Sequence, residues 1–378
     1  MEDVPRGTRG AGEDHLFNQP NSDPSITSDT ISAAVEGYFR FPPIWLGEAP
    51  DEVLVARLNP EVHHAEVLAR DLDCGIVVRA LRDGTFLFDF TNWPLAGRVL
   101  IPGYKIPVAH QPHYASREHV EEYERAERIA VLRAQVMNVH QACLETSQWL
   151  LRGSSSGIGR PLTSADTLKG RSFQDALRYH YDAGSSRGIA RSVANSNALL
   201  PDTPSIARHV IDADVVDHAS ALLDQILSLE GIAIVQIVEA IYLSAARCQE
   251  GRFGEAIVLV WGVCEQLLNT AWDRLLDSRD ISPSRKKKLK DRDYTTSIRT
   301  EALELTGTIG PGIYQKLERA RRARNRWAHK LVEPVVVDTM SGVEAAQGLL
   351  AWLYDIRLAV PVTEQTPSVP AWFIWNDG

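Results

Sequence analysis

The sequence predicts a mainly α-helical protein, α+β overall, in which a C-terminal antiparallel helical bundle follows a smaller N-terminal β-containing domain. Three observations predict it. From residue 204 to 358 apolar residues return every three or four positions, and glycine or proline breaks the pattern at short intervals. Residues 117–151 keep the same period without a proline. Residues 38–115 instead hold short β-rich runs, two of them separated by an Asp-Gly step.

Residues 1–37 are polar and rich in Gly, Pro, Ser and Asp, the composition of a disordered arm. In the small domain at 38–115, the runs 75–81 and 85–90 flank Arg82-Asp83-Gly84. That spacing predicts a hairpin, because glycine accepts the positive φ such a turn needs. Residues 52–58 and 98–106 are further strand candidates. Residues 116–152 form one long amphipathic helix, closed by Gly153. Residues 153–204 are rich in glycine and serine and read as a flexible linker region, with a short helix near 171–181. The bundle at 205–358 is expected to hold helices at 205–229, 232–249, 254–277, 296–305, 312–331 and 339–356. Their short connections make antiparallel neighbours. The aromatic tail at 359–378 carries Trp372, Phe373 and Trp375 and receives no function.

A hydrophobic share of 44% with 24% charged residues is the balance of a chain with real cores, which excludes wholesale disorder. No uninterrupted apolar run approaches the roughly 18–20 residues of a bilayer span, so no membrane association is expected. The first residues carry no apolar h-region, so no secretory signal is expected. Cys74, Cys143, Cys248 and Cys264 are far apart with no Cys-x-x-Cys. That argues against a zinc ribbon and a disulfide scaffold, and for a reducing cytoplasm. His63, His64, His110 and His113 fall within one region, but their spacing matches no metal-ligand pattern. Tyr179, His180 and Tyr181 could stack on bases, although ordinary packing is the simpler expectation.

The net charge of −9 hides an asymmetry. Between Arg285 and Lys330, 14 Lys and Arg face five acids, so this segment is +9 and the rest of the chain −18. A basic block in an acidic protein is a place where a polyanion could bind.

Residues 153–160, Gly-Ser-Ser-Ser-Gly-Ile-Gly-Arg, imitate the phosphate loop of short-chain dehydrogenases. That loop needs a buried strand before it and a helix after it. Here a helical pattern precedes it, Pro161 follows, and the sequence has no Tyr-x-x-x-Lys pair. No cofactor is expected from it.

The strongest local signal is Glu318-Arg319-Ala320-Arg321-Arg322-Ala323-Arg324-Asn325-Arg326-Trp327-Ala328-His329-Lys330. On a helix, Arg321, Asn325 and His329 form one row, with Glu318 and Arg322 beside it. Tyr314, Leu317, Ala320, Trp327 and Leu331 form the apolar side, with Arg324 at its margin. Histidine titrates near neutrality and can move a proton. Arginine offers a planar fork for phosphate, and asparagine can donate and accept at a ribose hydroxyl or an imidazole. Together these are the parts for RNA cleavage without a metal ion, in which a 2′-hydroxyl attacks the adjacent phosphorus.

Arg324-Asn325-Arg326-Trp327-Ala328-His329 resembles the R-x4–6-H signature of HEPN domains, in the form with Asn directly after Arg. Residues 256–272, with their Trp-x-x-x-Glu-x-Leu-Leu texture, resemble the earlier HEPN helix. The resemblance covers roughly residues 232–358 and is somewhat nearer the Apea-like branch. It implies an antiparallel helical bundle, often dimeric, of a kind found in toxins and antiviral defence, where many members are ribonucleases. By carry-over His329 is the general acid/base, Arg324 binds the scissile phosphate, and Asn325 orients the ribose or the imidazole. Arg321, Arg322, Arg326 and Lys330 supply a phosphate field for RNA. A homodimer through the bundle is implied, with no cofactor and no metal. The N-terminal region is then expected to sense a trigger, a ligand or a protein, or to hold the nuclease inactive. The alternative is a non-catalytic HEPN-like module for RNA binding or dimerisation. One expectation comes from the residues themselves. Glu265 sits near an apolar helix face and needs a partner, and Arg324 is the expected one.

Overall fold

The computed structural model describes residues 35–40, 44–48, 63–95, 117–170, 172–178, 209–229, 231–291 and 293–362. The protein is mainly α with an N-terminal β-sheet. The hairpin forms where the Asp-Gly step puts it, between β4 (Val77–Leu81) and β5 (Thr85–Asp89). Gly84 takes φ +86°, and Asp83 Oδ1 accepts from the Thr85 amide at 3.1 Å. β3 (Glu66–Asp71) adds to β4, and β1 (Val35–Phe39) adds to the other side of β5, all antiparallel.

Three expectations about boundaries change here. β1 begins inside the segment read as a disordered arm, because Val35, Tyr38 and Phe39 are all buried. The segment read as a flexible linker supplies β6 (Leu168–Gly170), which completes the sheet order β3-β4-β5-β1-β6. It also supplies α2 (Phe173–Arg178), near the short helix expected there. Further on, β7 (His209–Ile211) pairs parallel with β2 (Ile44–Leu46), so the helix expected from 205 starts only at Ala213. The strand candidates at 52–58 and 98–106, together with His110, His113, Tyr179, His180 and Tyr181, lie outside the described residues. His63 is buried and stacks on Trp45 with ring centroids 5.6 Å apart.

The remaining helices follow the apolar period closely. They are α3 (Ala213–Ser228), α4 (Ile232–Gln249), α5 (Phe253–Asp277), α6 (Pro283–Lys290), α7 (Thr296–Leu305), α8 (Pro311–Lys330) and α9 (Val336–Tyr354). Only α6 was not anticipated among them. Ser282 caps it by accepting from the Arg285 amide, with Pro283 in the first turn. Such a helix has no apolar stripe to give it away. α5 is the hub of the bundle, packed by α4, α7, α8 and α9. α4 is long and apolar enough to cross a membrane by length and composition, although Glu239 and Arg247 interrupt its apolar run. In this fold 61% of it is buried, largely against the long helix α1 (Arg117–Arg152), α5 and α9.

The helix α1 (Arg117–Arg152) joins sheet to bundle. It was expected to be amphipathic. Instead every residue from 136 to 148 is buried, because the sheet covers one side while α3 and α4 cover the other. Its polar residues therefore need internal partners. Arg133 pairs with Glu36 at 3.0 Å, and Glu36 also accepts from Thr167. Asn138 bridges both backbone groups of Leu162 and reaches Glu239. Glu145 forms an ion pair with Arg40, both of them fully buried. Ser147 meets His218, and Gln148 meets His209. One hydrophobic core runs from the sheet through α1 into the bundle.

The glycine-serine loop finds its role in the same network. Ser155 and Ser156 donate to Glu145, Arg40 donates to Ser156 and to the Gly157 carbonyl, and Tyr242 donates to the Gly159 carbonyl. A phosphate loop offers free amides, whereas this one offers carbonyls to two buried donors. A Cβ on Gly159 would come within 2.2 Å of Gln141 Oε1, so a larger residue there would have to displace the Gln141 amide.

His140 shows what such burial does to a titration. It is fully buried, bonded to the Tyr38 hydroxyl at 2.8 Å, and edge-on to Phe86 and Phe88. Desolvation, helped by the charge of Arg40, pushes its pKa down to about 3. Below about pH 6.5 the unfolded chain takes up a proton that the folded chain refuses. This residue's contribution to stability is therefore complete above about pH 6.5 and is lost as pH falls toward 3, by roughly 5 kcal/mol in all. Urea titrations of wild type and His140→Gln across that window are expected to converge as pH drops. Parallel curves would refute the assignment.

Candidate nucleic-acid interface

α8 starts at Pro311, whose fixed φ suits a first turn, and buries Leu317, Ala320 and Ala323 against α5 and α9. It stops at Leu331, which takes a left-handed φ of 51° and donates its amide to the Trp327 carbonyl. Leu331 was expected on the apolar side, yet it is 76% exposed, because the chain reverses there. Two contacts fix the C-terminal end of α8 to the N-terminal end of α5. The Trp327 indole lies on Gly254, and Glu333 Oε1 accepts from the Gly254 amide at 2.8 Å. That carboxylate also sits where the α5 dipole favours negative charge.

The motif residues divide into two groups. Arg324 and Asn325 are half-buried, and Arg324 Nη1 donates to Asn325 Oδ1 at 3.1 Å. His329 and Lys330 are exposed in the last turn, and no hydrogen bond to the His329 imidazole is formed among the described residues. The expected row of Arg321, Asn325 and His329 is interrupted by these pairings. Arg321 is held by Glu318 in a two-pronged contact at 2.8 and 2.9 Å. That hydrogen bonding lowers the Glu318 pKa and raises that of Arg321. Arg322 also approaches Glu318, at 3.5 Å.

Glu265 does not pair with Arg324. The two helices run antiparallel with Trp327 over Gly254. Arg324 lies three residues back from that crossing and Glu265 eleven residues beyond it. At 1.5 Å per residue the two are offset by roughly 12 Å along the axis. Glu265 is half-buried, and its charge instead helps to raise the Cys264 thiol pKa to about 12, after burial itself.

A second row replaces the expected one. Gln315, Arg319, Arg322 and Arg326 recur at helical spacing along α8 and line a groove of about 730 Å³ closed by Val332, Glu333, Val335 and Asp338. His329 continues the same stripe past its end, three residues after Arg326. Asp338, buried at the start of α9, accepts from Arg319 at 2.9 Å and from Arg326 at 3.1 Å. Arg319 and Asp338 were missed as site residues. The 4-3-4-3 spacing of this stripe was available in the sequence, but the partnership across the Leu331 turn was not. Among the described residues no group of three or more His, Cys, Asp or Glu is placed to hold a metal ion.

The Trp327–Gly254 contact positions this whole helix end. A Cβ on Gly254 would fall 2.5 Å from the indole. Gly254→Ala is therefore expected to cost about 1–3 kcal/mol of stability in urea unfolding. An unchanged midpoint would show that the indole is free to move.

No protein-family model, curated protein or solved structure matches the chain.

Proposed function

We propose that the protein is a HEPN-type endoribonuclease that cleaves RNA by 2′-hydroxyl attack without a metal ion, and that it acts as an antiviral-defence or toxin effector. The observation that carries the cleavage reading is the placement of His329. A histidine with a purely structural role would be buried against its own bundle, whereas this one is exposed at the end of an arginine stripe. His329 serves as the general acid/base, moving a proton at the 2′-hydroxyl or at the leaving 5′-oxygen. Arg324 offers its remaining N–H groups to the phosphate charge, and Asn325 fixes that guanidinium.

Five residues along a helix turn through 500°, so Arg324 and His329 point about 140° apart. Two copies meeting at this helix end supply one residue each to a shared phosphate, which is the reason to propose a homodimer through the bundle. The exposed Leu331, Val332 and Val335 beside the motif offer apolar surface for it. The N-terminal sheet shares the core of the bundle, and we assign it the restraint or sensing role.

The test is incubation of RNA with the protein in EDTA, followed by end-group analysis. Products with 2′,3′-cyclic phosphate and 5′-hydroxyl ends are expected. RNA binding without cleavage would favour the non-catalytic module instead.

A further inference from the structure

We infer that the groove between α8 and residues 332–338 is a track for a single-stranded nucleic-acid backbone leading away from His329, bound by the exposed guanidinium groups of Arg319, Arg322 and Arg326. What lies at the end of the track rests on the ribonuclease reading. The track itself rests on its own geometry.

By formal count the lining is balanced, with Arg319, Arg322 and Arg326 against Glu318, Glu333 and Asp338. Exposure breaks that balance. The side chains of Arg319, Arg322 and Arg326 are 49%, 71% and 53% exposed, whereas those of Asp338 and Glu318 are 6% and 11% exposed. Glu333 spends one carboxylate oxygen on the Gly254 amide. A ligand in the groove therefore meets three exposed guanidinium groups and the exposed Glu333, with the carboxylates of Asp338 and Glu318 set behind the arginines. Each carboxylate also holds its arginines in place. Asp338 takes one N–H from Arg319 and one from Arg326, which leaves the other donors of both forks free. Arginines fixed in this way lose little entropy when a phosphate arrives.

The dimensions suit a strand. Arg319 and Arg326 are seven residues apart, about 10 Å along the helix, and His329 lies roughly 4.5 Å further on. At about 3.4 Å of rise per stacked nucleotide, the arginines span about three phosphates. Tyr314, held by its hydroxyl to Glu301 at 2.6 Å, together with Val332 and Val335, gives apolar wall for sugars and base faces.

The test is fluorescence anisotropy with a fluorescein-labelled oligodeoxythymidylate, which lacks the 2′-hydroxyl and cannot be cut by this chemistry. Wild type is compared with Arg319→Gln/Arg326→Gln and with Arg322→Gln, the latter chosen because its side chain is the most exposed of the three. Melting curves check that each variant folds. The double variant is expected to bind about tenfold more weakly, and its log–log salt slope to fall by about 1.4, for two lost contacts at about 0.7 each. Arg322→Gln is expected to lower the slope by about half as much. Folded variants with wild-type affinity and slope would overturn the proposal. So would a wild type that does not bind the oligonucleotide, or polyglutamate competing as well as unlabelled oligonucleotide at equal charge. The cleavage assay separates this proposal from the ribonuclease reading. Loss of cleavage in His329→Ala alongside normal binding by the arginine variants sinks the track and spares the nuclease. Weakened binding by the arginine variants of a protein that cuts no RNA does the reverse.

Discussion

Replacing His329 with alanine is expected to lower RNA cleavage by at least about 10²-fold, the usual worth of a positioned general acid or base. RNA affinity is expected to stay within about twofold, because the phosphate contacts of the proposed track come from arginines that the substitution leaves alone. Stability should also hold. His329 is exposed and forms no side-chain hydrogen bond among the described residues, and surface changes of this kind usually shift stability by less than about 0.5 kcal/mol. The comparison with Arg324 sharpens the result. Arg324→Lys keeps the charge but cannot keep the fork that binds Asn325 and, on the proposed mechanism, would hold a phosphate as well. It should lose most of the cleavage rate as well. If His329→Ala cuts RNA at the wild-type rate, the residue is a bystander and the nuclease reading fails.

The largest expected stability effect lies far from that helix end. Glu145→Ala leaves the fully buried Arg40 without its charge partner, and such breaks cost about 3–5 kcal/mol. Ser155 and Ser156 lose their acceptor at the same time, so the loop over the pair loosens too. The double substitution Arg40→Met/Glu145→Leu removes both charges while keeping apolar volume, and should cost clearly less than the single change. Urea midpoints of the three proteins decide the matter. Equal losses in single and double variants would mean that the loop contacts, rather than charge burial, carry the effect.

The helices and the hairpin were legible because their signals are local. Apolar spacing bounded α4 and α7 to the residue, and an Asp-Gly step marked the β4–β5 turn. What the sequence hid was non-local. Leu168–Gly170 looks like linker because its strand identity depends on Val35–Gly37, far away in the chain. The polar residues of α1 suggested a wet face, since nothing near them announces Arg40, Tyr38 or Glu36 as partners. At the motif, helical geometry gave one row, Arg321, Asn325 and His329, but side-chain pairing assembled another. Glu318 claimed Arg321, and Asp338 made a row out of Arg319 and Arg326. Glu265 failed as a partner because its position along α5 depends on the antiparallel register, which only the packed pair reveals.

The bonds that tie β1 and its flank to α1 and the following loop carry a consequence for synthesis. Arg40 waits 105 residues for Glu145, Tyr38 waits 102 for His140, and Glu36 waits 131 for Thr167. A chain leaving the ribosome therefore presents β1 with its apolar face uncovered and one edge without a neighbour until α1 and β6 have emerged. Folding dominated by such distant closures is slow. An unpaired edge kept waiting is where a nascent chain associates with other chains. The same bonds that lock the finished core thus leave β1 waiting for over a hundred residues of synthesis before its partners exist.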